Sequence, residues 1–264
     1  MENSHYRELS ESEYNDLLDR ILYEDNHLII FNKRSGEITQ GDKTGDEPLS
    51  EALKAFIAKR DSKPGKVFLG VVHRIDRPVS GAVIFAKTSK GLSKMNELLR
   101  NGKLAKKYLT LVCNKPPKEE EELRHLLFRN EKNNKTYITE CSTKLSDSQA
   151  ISQSHLQHNS QKKSQKEYKE GFLKYRYLGA TTNYYLLEIE LYTGRHHQIR
   201  AQLSHIGSPI KGDLKYGAPR SNKDGSISLH SHTVSFIHPV KNKKVSITAP
   251  ILSNIAFPQI KGEK

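Results

Sequence analysis

The chain carries only two cysteines in 264 residues, Cys113 and Cys141, and neither has a CxxC partner. That spacing encodes no disulfide framework, and a reducing, cytoplasmic setting is expected. No apolar run approaches the ~20 residues that span a membrane. The opening stretch MENSHYRELSESEYND is polar and acidic, unlike a signal peptide or an Arg-rich transit peptide. The loops GxGxxG and GxxxxGK(S/T) are missing, which removes the usual motifs for a nucleotide cofactor. HExxH is missing too. The adjacent His196 and His197 would point about 100° apart on a helix, so no metal is expected.

What the chain has in excess is positive charge. Lys and Arg outnumber Asp and Glu by 43 to 30, a net +13. The excess is uneven: residues 1–30 hold eight acidic and two basic side chains, net −6, which leaves +19 on the remainder. A basic body of this kind suits a polyanionic partner, of which nucleic acid is the commonest; surface lysines kept for solubility are the bland alternative.

Periodicity supplies the elements. Leu9, Tyr14, Leu17, Leu18 and Ile21 fall at helical spacing over 9–21, and 48–60 reads as an amphipathic helix with Pro48 near its first turn. HLIIFNK (27–33), VFLGVVH (67–73), AVIFAK (82–87), KKYLTLV (106–112) and YYLLEIELY (184–192) read as strands. Thr88 or Ser89 caps a helix to about Arg100, and Thr193 caps another that carries Ile199, Leu203 and Ile206 as its stripe. Residues 227–237 and 243–249 form a hairpin joined at Lys241–Lys243. Strands and helices mix without a βαβ rhythm, which predicts an α+β fold on a mixed sheet. Residues 144–166 differ: Gln149, Gln153, Gln157, Gln161 and Gln165 recur every fourth position with few apolar neighbours, the composition of a low-complexity loop insertion.

Two clusters carry chemistry. HRIDR, residues 73–77, sets one carboxylate and two guanidiniums at the mouth of apolar runs on either side. Positive charge beside Asp76 favours its ionised form, which suits a nucleophile; a salt bridge closing a loop would explain the same residues. GRHHQIR, residues 194–200, gathers cations at a helix N-terminus, where an arginine could meet a phosphate or Asp76.

These segments together resemble the RluA-type pseudouridine synthases. HRIDRPVSGAVIFAK is similar to that family's HRLDxxTSG signature. TGRHHQIRAQLSHIGSPIKGDLKYG is similar to its TGRxHQIRxHL…GxPixGDxxYG, KKYLTLV to its KxY strand, and ILYEDNHLIIFNKRSG to its first strand and turn. The resemblance runs in order from about Ile21 to Pro250. It implies the pseudouridine synthase fold, with a mixed, largely antiparallel sheet flanked by helices and an RNA cleft across the middle. The implied domain spans 21–250, after an acidic segment 1–20 and before a tail 251–264.

The resemblance further implies isomerisation of uridine in structured ribosomal or transfer RNA, without cofactor, by a cytoplasmic monomer. Residue by residue, Asp76 becomes the nucleophile, Tyr108 the tyrosine that stacks on the target base, Arg195 the basic residue that pairs with the aspartate, and Arg74 the side chain that fills the gap left by the flipped uridine. Arg77, Lys103, Lys106, Lys107, His197, Arg200 and Lys211 flank these motifs and are expected to contact RNA. Ile75, Pro78-Val79 and Ala201-Gln202 depart from the family pattern without removing a catalytic residue. Two other classes are weighed against this one: a non-catalytic RNA-binding relative, and a metal-dependent nuclease built on Asp76, His197 and Asp213.

Overall fold

A computed structural model describes residues 5–41, 44–139 and 167–251. The glutamine-repeat segment 144–166 and nearly all of the tail expected at 251–264 lie outside the described residues.

The elements in chain order are helix α1 (Glu11–Asp19), strands β1 (Ile21–Glu24) and β2 (Leu28–Lys33), and helix α2 (Leu49–Arg60). Strands β3 (Gly70–Val71) and β4 (Ser80–Ala86) then precede helix α3 (Ser89–Arg100). Strands β5 (Ala105–Val112), β6 (Glu120–Asn130), β7 (Lys135–Thr139), β8 (Lys169–Ala180) and β9 (Tyr185–Leu191) lead to helix α4 (Gln198–His205), and β10 (Leu229–Ile237) and β11 (Lys244–Thr248) follow. One sheet runs β1-β2-β4-β10-β5-β9-β8-β6-β7, with β3 beside β4 and β11 beside β10. Every pairing is antiparallel except β4 with β10. The expected α+β fold on a mixed, largely antiparallel sheet is what the chain adopts.

The all-apolar strands explain themselves by burial on both faces. In β2, Ile29 and Phe31 pack into one cluster with Leu53 and Phe56 of α2, while Leu28 and Ile30 pack into another with Met95 of α3. Strand β4 splits the same way, Val83 and Phe85 against Ile84 and Ala86. A strand covered on both sides needs no polar alternation.

Several expected boundaries move. The first helix stops at Asp19 because Ile21 already pairs with Phe31; it starts on Ser10, whose side chain accepts from Glu13 N–H while Glu13 reaches back to Ser10 N–H. The strand expected over 67–73 pairs only at Gly70–Val71. The last helix does not begin at Thr193. His197 occupies its N-cap in the left-handed region, φ 50°, and the helix starts at Gln198. Thr193 instead donates to the Gln198 side chain, which also accepts from Arg195 N–H, so 193–197 is a tight loop.

The parallel contact between β4 and β10 is two residues long, Ser80 opposite His230 and Gly81 opposite Ser231. On its other side Ser231 faces Tyr108 of β5. A Cβ on Gly81 would stand 2.3 Å from Ser231 O, and Gly81 has φ +111°, so only glycine lets these backbones meet here. The corner 73–79 therefore enters the sheet at the level of Tyr108.

Candidate active site

The corner that carries Asp76 is pinned from three sides. Val79 N–H bonds Asp76 O, Ile227 N–H bonds Pro78 O, and Gly36 N–H bonds Arg77 O. Ser35 adds its hydroxyl to Pro78 O at 3.1 Å. Beneath the corner lies Lys33, fully buried, with its ammonium donating to the carbonyls of Arg34, Glu37 and Arg77 at 2.8, 2.7 and 3.2 Å. Burial pushes Lys33 down to about 7, against the raising charges of Glu37 and Asp76. Sequence inspection did not single out Lys33; a lysine closing an apolar strand was the available signal.

The Asp76 side chain keeps 28% of its surface exposed, in contrast to the groups around it. Arg200 Nη1 lies 2.9 Å from Asp76 Oδ2. The same guanidinium grips Asp213 twice, Nε to Oδ2 at 2.7 Å and Nη2 to Oδ1 at 2.9 Å. Asp213 is fully buried, so Arg200 is a fixed charge locked from behind. Burial opposes that charge, but the hydrogen bond to Asp213 and the negative charges of Asp76 and Asp213 outweigh it and raise the guanidinium pKa.

The aspartate's partner is thus Arg200 and not Arg195, which corrects the expected pairing. Arg195 sits in the 193–197 loop, exposed, with Nε donating to Glu170 O at 2.9 Å. Arg200 is the third residue of α4, and its side chain reaches Asp76 in the corner. The signal in the sequence is the second half of the long motif, GDLKYG, whose Asp213 is the carboxylate that holds Arg200.

His197 is buried against the same carboxylate, Nε2 3.6 Å from Asp76 Oδ2, beyond hydrogen-bond range. Its Nδ1 is 3.0 Å from Tyr216 Oη, which accepts from Thr136 N–H at 2.8 Å. Burial, then the charge of Arg200, pushes His197 down to about 2, so the ring is neutral. His196 and His197 stack with centroids 3.7 Å apart, because the left-handed turn at His197 replaces the helical geometry that would have splayed them.

A cavity of about 260 Å³ opens over Asp76. Arg74, Tyr108, Arg195, His197 and Arg200 all line it, as do Ile75, Leu99, Leu191 and Leu229. Tyr108 is buried; burial pushes its phenol up to about 12, Ser231 works against the rise and the charge of Asp76 adds to it. Lys106, one step of the same strand face away, also lines the cavity, and burial pushes its ammonium down to about 8. A second groove of about 900 Å³ adjoins the first through Gly194 and Arg195, and is flanked by Phe128, Arg129, Lys132, Tyr137 and Lys169.

The remaining cations expected to contact RNA do not line the cavity. Lys107 points to the opposite face of β5, where Glu190 and Glu188 hold it at 3.0 and 3.4 Å. Strand alternation separates it from Lys106 and Tyr108. Lys211 lies over the Tyr184 ring at 4.7 Å, toward the far end of β5. Arg77 is exposed and paired with Asp46 at 2.6 Å, and Lys103 is exposed in the turn before β5. Among the described residues no group of three or more His, Cys, Asp and Glu side chains is arranged to hold a metal ion. Asp213, which a nuclease would need, has both oxygens committed to Arg200. No described helix is long and apolar enough to cross a membrane.

A family model described as RNA pseudouridylate synthase matches residues 27–205. The chain is 33% identical over 243 residues to a ribosomal large subunit pseudouridine synthase C of Buchnera aphidicola subsp. Acyrthosiphon pisum, covering 89% of this chain and 68% of that one. It is 31% identical over 236 residues to a tRNA pseudouridine synthase C of Haemophilus ducreyi, covering 87% and 89%. Among solved structures, human RNA pseudouridylate synthase domain containing 4 superposes with a TM-score of 0.67 at 18% identity over 90% of both chains, a likeness of fold.

Proposed function

The chain belongs to the RNA pseudouridylate synthase family, and from that premise we propose that it converts uridine in structured ribosomal or transfer RNA to pseudouridine with Asp76 as nucleophile and no cofactor. The observation that carries this reading is the contrast within one ion pair. Arg200 is buried and locked by Asp213, while Asp76 faces an open cavity on the other side. A carboxylate with a fixed cation behind it and an open face in front is built to attack.

The reaction exchanges one bond for another within the nucleotide. N1–C1′ breaks, the uracil turns, C5–C1′ forms, the C5 proton departs and N1 takes one up. Atoms and electrons balance without an oxidant or a co-reactant. The cavity holds a flipped base between the Tyr108 ring and the apolar walls, which spares the protein from reading it inside a helix. Tyr108 is a protonated phenol at neutral pH and serves as a stacking surface and proton donor. Arg195 stands exposed at the rim, where phosphates pass, Arg74 beside it is placed to fill the gap left by the flipped uridine, and the adjoining groove takes the flanking nucleotides past Phe128 and Tyr137.

The test uses the hydrogen that must leave. RNA transcripts carrying tritium at uridine C5 should release it to water when incubated with the purified protein, without added metal or nucleotide. Retention of tritium in ribosomal and transfer RNA alike would overturn the reading.

A further inference from the structure

We infer that Lys106 is a catalytic residue, its ammonium stabilising the negative charge that develops on the uracil when the N1–C1′ bond breaks. The inference rests on the reading of the cavity as a uridine site.

Lys106 is 6% exposed and lines the cavity above Asp76. Residues 106 and 108 share one face of β5, so the ammonium and the Tyr108 ring look the same way. Its terminal nitrogen lies under the 193–197 loop, 3.6 Å from where a Cβ of Gly194 would stand. No hydrogen bond and no ion pair is made by that nitrogen among the described residues, although Lys107 beside it has two carboxylates. An ammonium on a buried side chain without a counter-charge is destabilising. A fold has no use for such a group; a site that meets an anion does.

The choice of anion follows from the cavity. Backbone phosphates are met at the rim, where Arg195 is exposed. The interior around Lys106 is walled by Leu99, Leu191 and Leu229, a slot for a flat base. When N1–C1′ breaks, its electron pair stays with the uracil, whichever atom Asp76 attacks, and the charge spreads over N1, O2 and O4. C5–C1′ bond formation later consumes it, and the C5 proton that then departs is balanced by the one N1 takes up. Arg200, the other buried cation of the cavity, is committed to Asp76 and Asp213. Lys106 is the uncommitted one, and a preorganised charge in a dry site acts most on charge that appears only in the transition state.

The experiment compares wild type, Lys106→Met and Lys106→Arg on one RNA substrate, by single-turnover pseudouridine formation at saturating protein, by RNA dissociation constant and by thermal unfolding. Lys106→Met should lower the saturating rate constant about 10²-fold or more, change the dissociation constant only a few-fold, and melt no lower than wild type, since an unpaired buried charge is gone. Lys106→Arg should recover part of the rate. The wild-type rate should also fall as pH rises through about 8, and this limb should be missing in Lys106→Met. The other ionisable groups that line the cavity, His73, Arg74, Asp76, Tyr108, Arg195, His197 and Arg200, are common to both proteins.

Three outcomes overturn the inference: a full saturating rate with weakened binding, which makes Lys106 a phosphate contact; a lowered melting temperature that accounts for the lost rate; or the same alkaline limb in both proteins. A wild type that forms no pseudouridine rejects the reading of the site instead.

Discussion

Arg200 and Asp213 form a two-pronged ion pair inside the protein, and the third arm of that guanidinium is what Asp76 leans on. Removing the hidden carboxylate should therefore disturb the visible one. Breaking a buried pair costs about 3–5 kcal/mol when the remaining charge is left uncompensated. In Asp213→Asn the guanidinium keeps Asp76, so stability should fall by less than that in urea denaturation, and turnover should fall with it. Arg200→Lys keeps the charge but cannot span both carboxylates, so turnover should fall while stability falls less. An Asp213→Asn protein of wild-type stability and rate would show that the lock is idle.

Arg195 gives the opposite pattern. It is exposed, it borders both cavities, and its bond is to a backbone carbonyl. Arg195→Ala should weaken RNA binding across sequences and lower the slope of log affinity against log salt by about 1. The saturating rate should stay within a few-fold of wild type. A collapse of that rate with binding intact would restore Arg195 as the partner of Asp76.

Asp76, Tyr108 and Arg74, singled out from the order of motifs along the chain, line one cavity, and each sits on or beside a strand whose apolar pattern is plain. Contacts between distant segments were harder to see. Which of Arg195 and Arg200 faces Asp76 depends on where α4 begins, and His197 sets that by adopting a left-handed conformation that no local rule demands of histidine. Strands β6, β7 and β8 escaped notice for a different reason. In EEELRHLLFRN one face is buried by α4 while the other bears charge, and His125 interrupts the apolar row of Leu123 and Leu127. Strand alternation separates two lysines that the sequence sets side by side: Lys106 lines the cavity and Lys107 points to the opposite side of the sheet.

Lys33 makes the positioning of the corner testable by pH. Its ammonium ties the 34–37 turn to Arg77 O, next to Asp76. Lys33→Met should lower the rate by loosening that corner, with RNA affinity little changed. The stability comparison has a definite sign. The folded-state pKa, about 7, lies below the unfolded value of about 10.5. Between these values the unfolded chain holds more protons, so wild-type stability rises with pH across that window relative to Lys33→Met. Below pH 7 both states are protonated and the difference is flat. Unfolding free energies of the two proteins at pH 6, 8 and 9.5 check this; a difference that shrinks with rising pH would contradict it.

Asp76→Asn separates chemistry from architecture. The amide keeps the size of the carboxylate and can still face Arg200, but it is no nucleophile. Turnover should drop to background, because Asp213, the other carboxylate on Arg200, is buried and has both oxygens occupied. RNA binding should persist, since phosphate contacts dominate affinity, and a slight gain is expected as a negative charge leaves a cationic cleft. Stability should change little: Arg200 retains its two bonds to Asp213, and the side chain at 76 is partly exposed. If Asp76 served only to close the corner by its ion pair, the results would invert, with a lower melting temperature and folded molecules that remain active. Thermal unfolding and single-turnover pseudouridine formation on one preparation distinguish the two, and a destabilised but active Asp76→Asn protein would remove Asp76 from the mechanism.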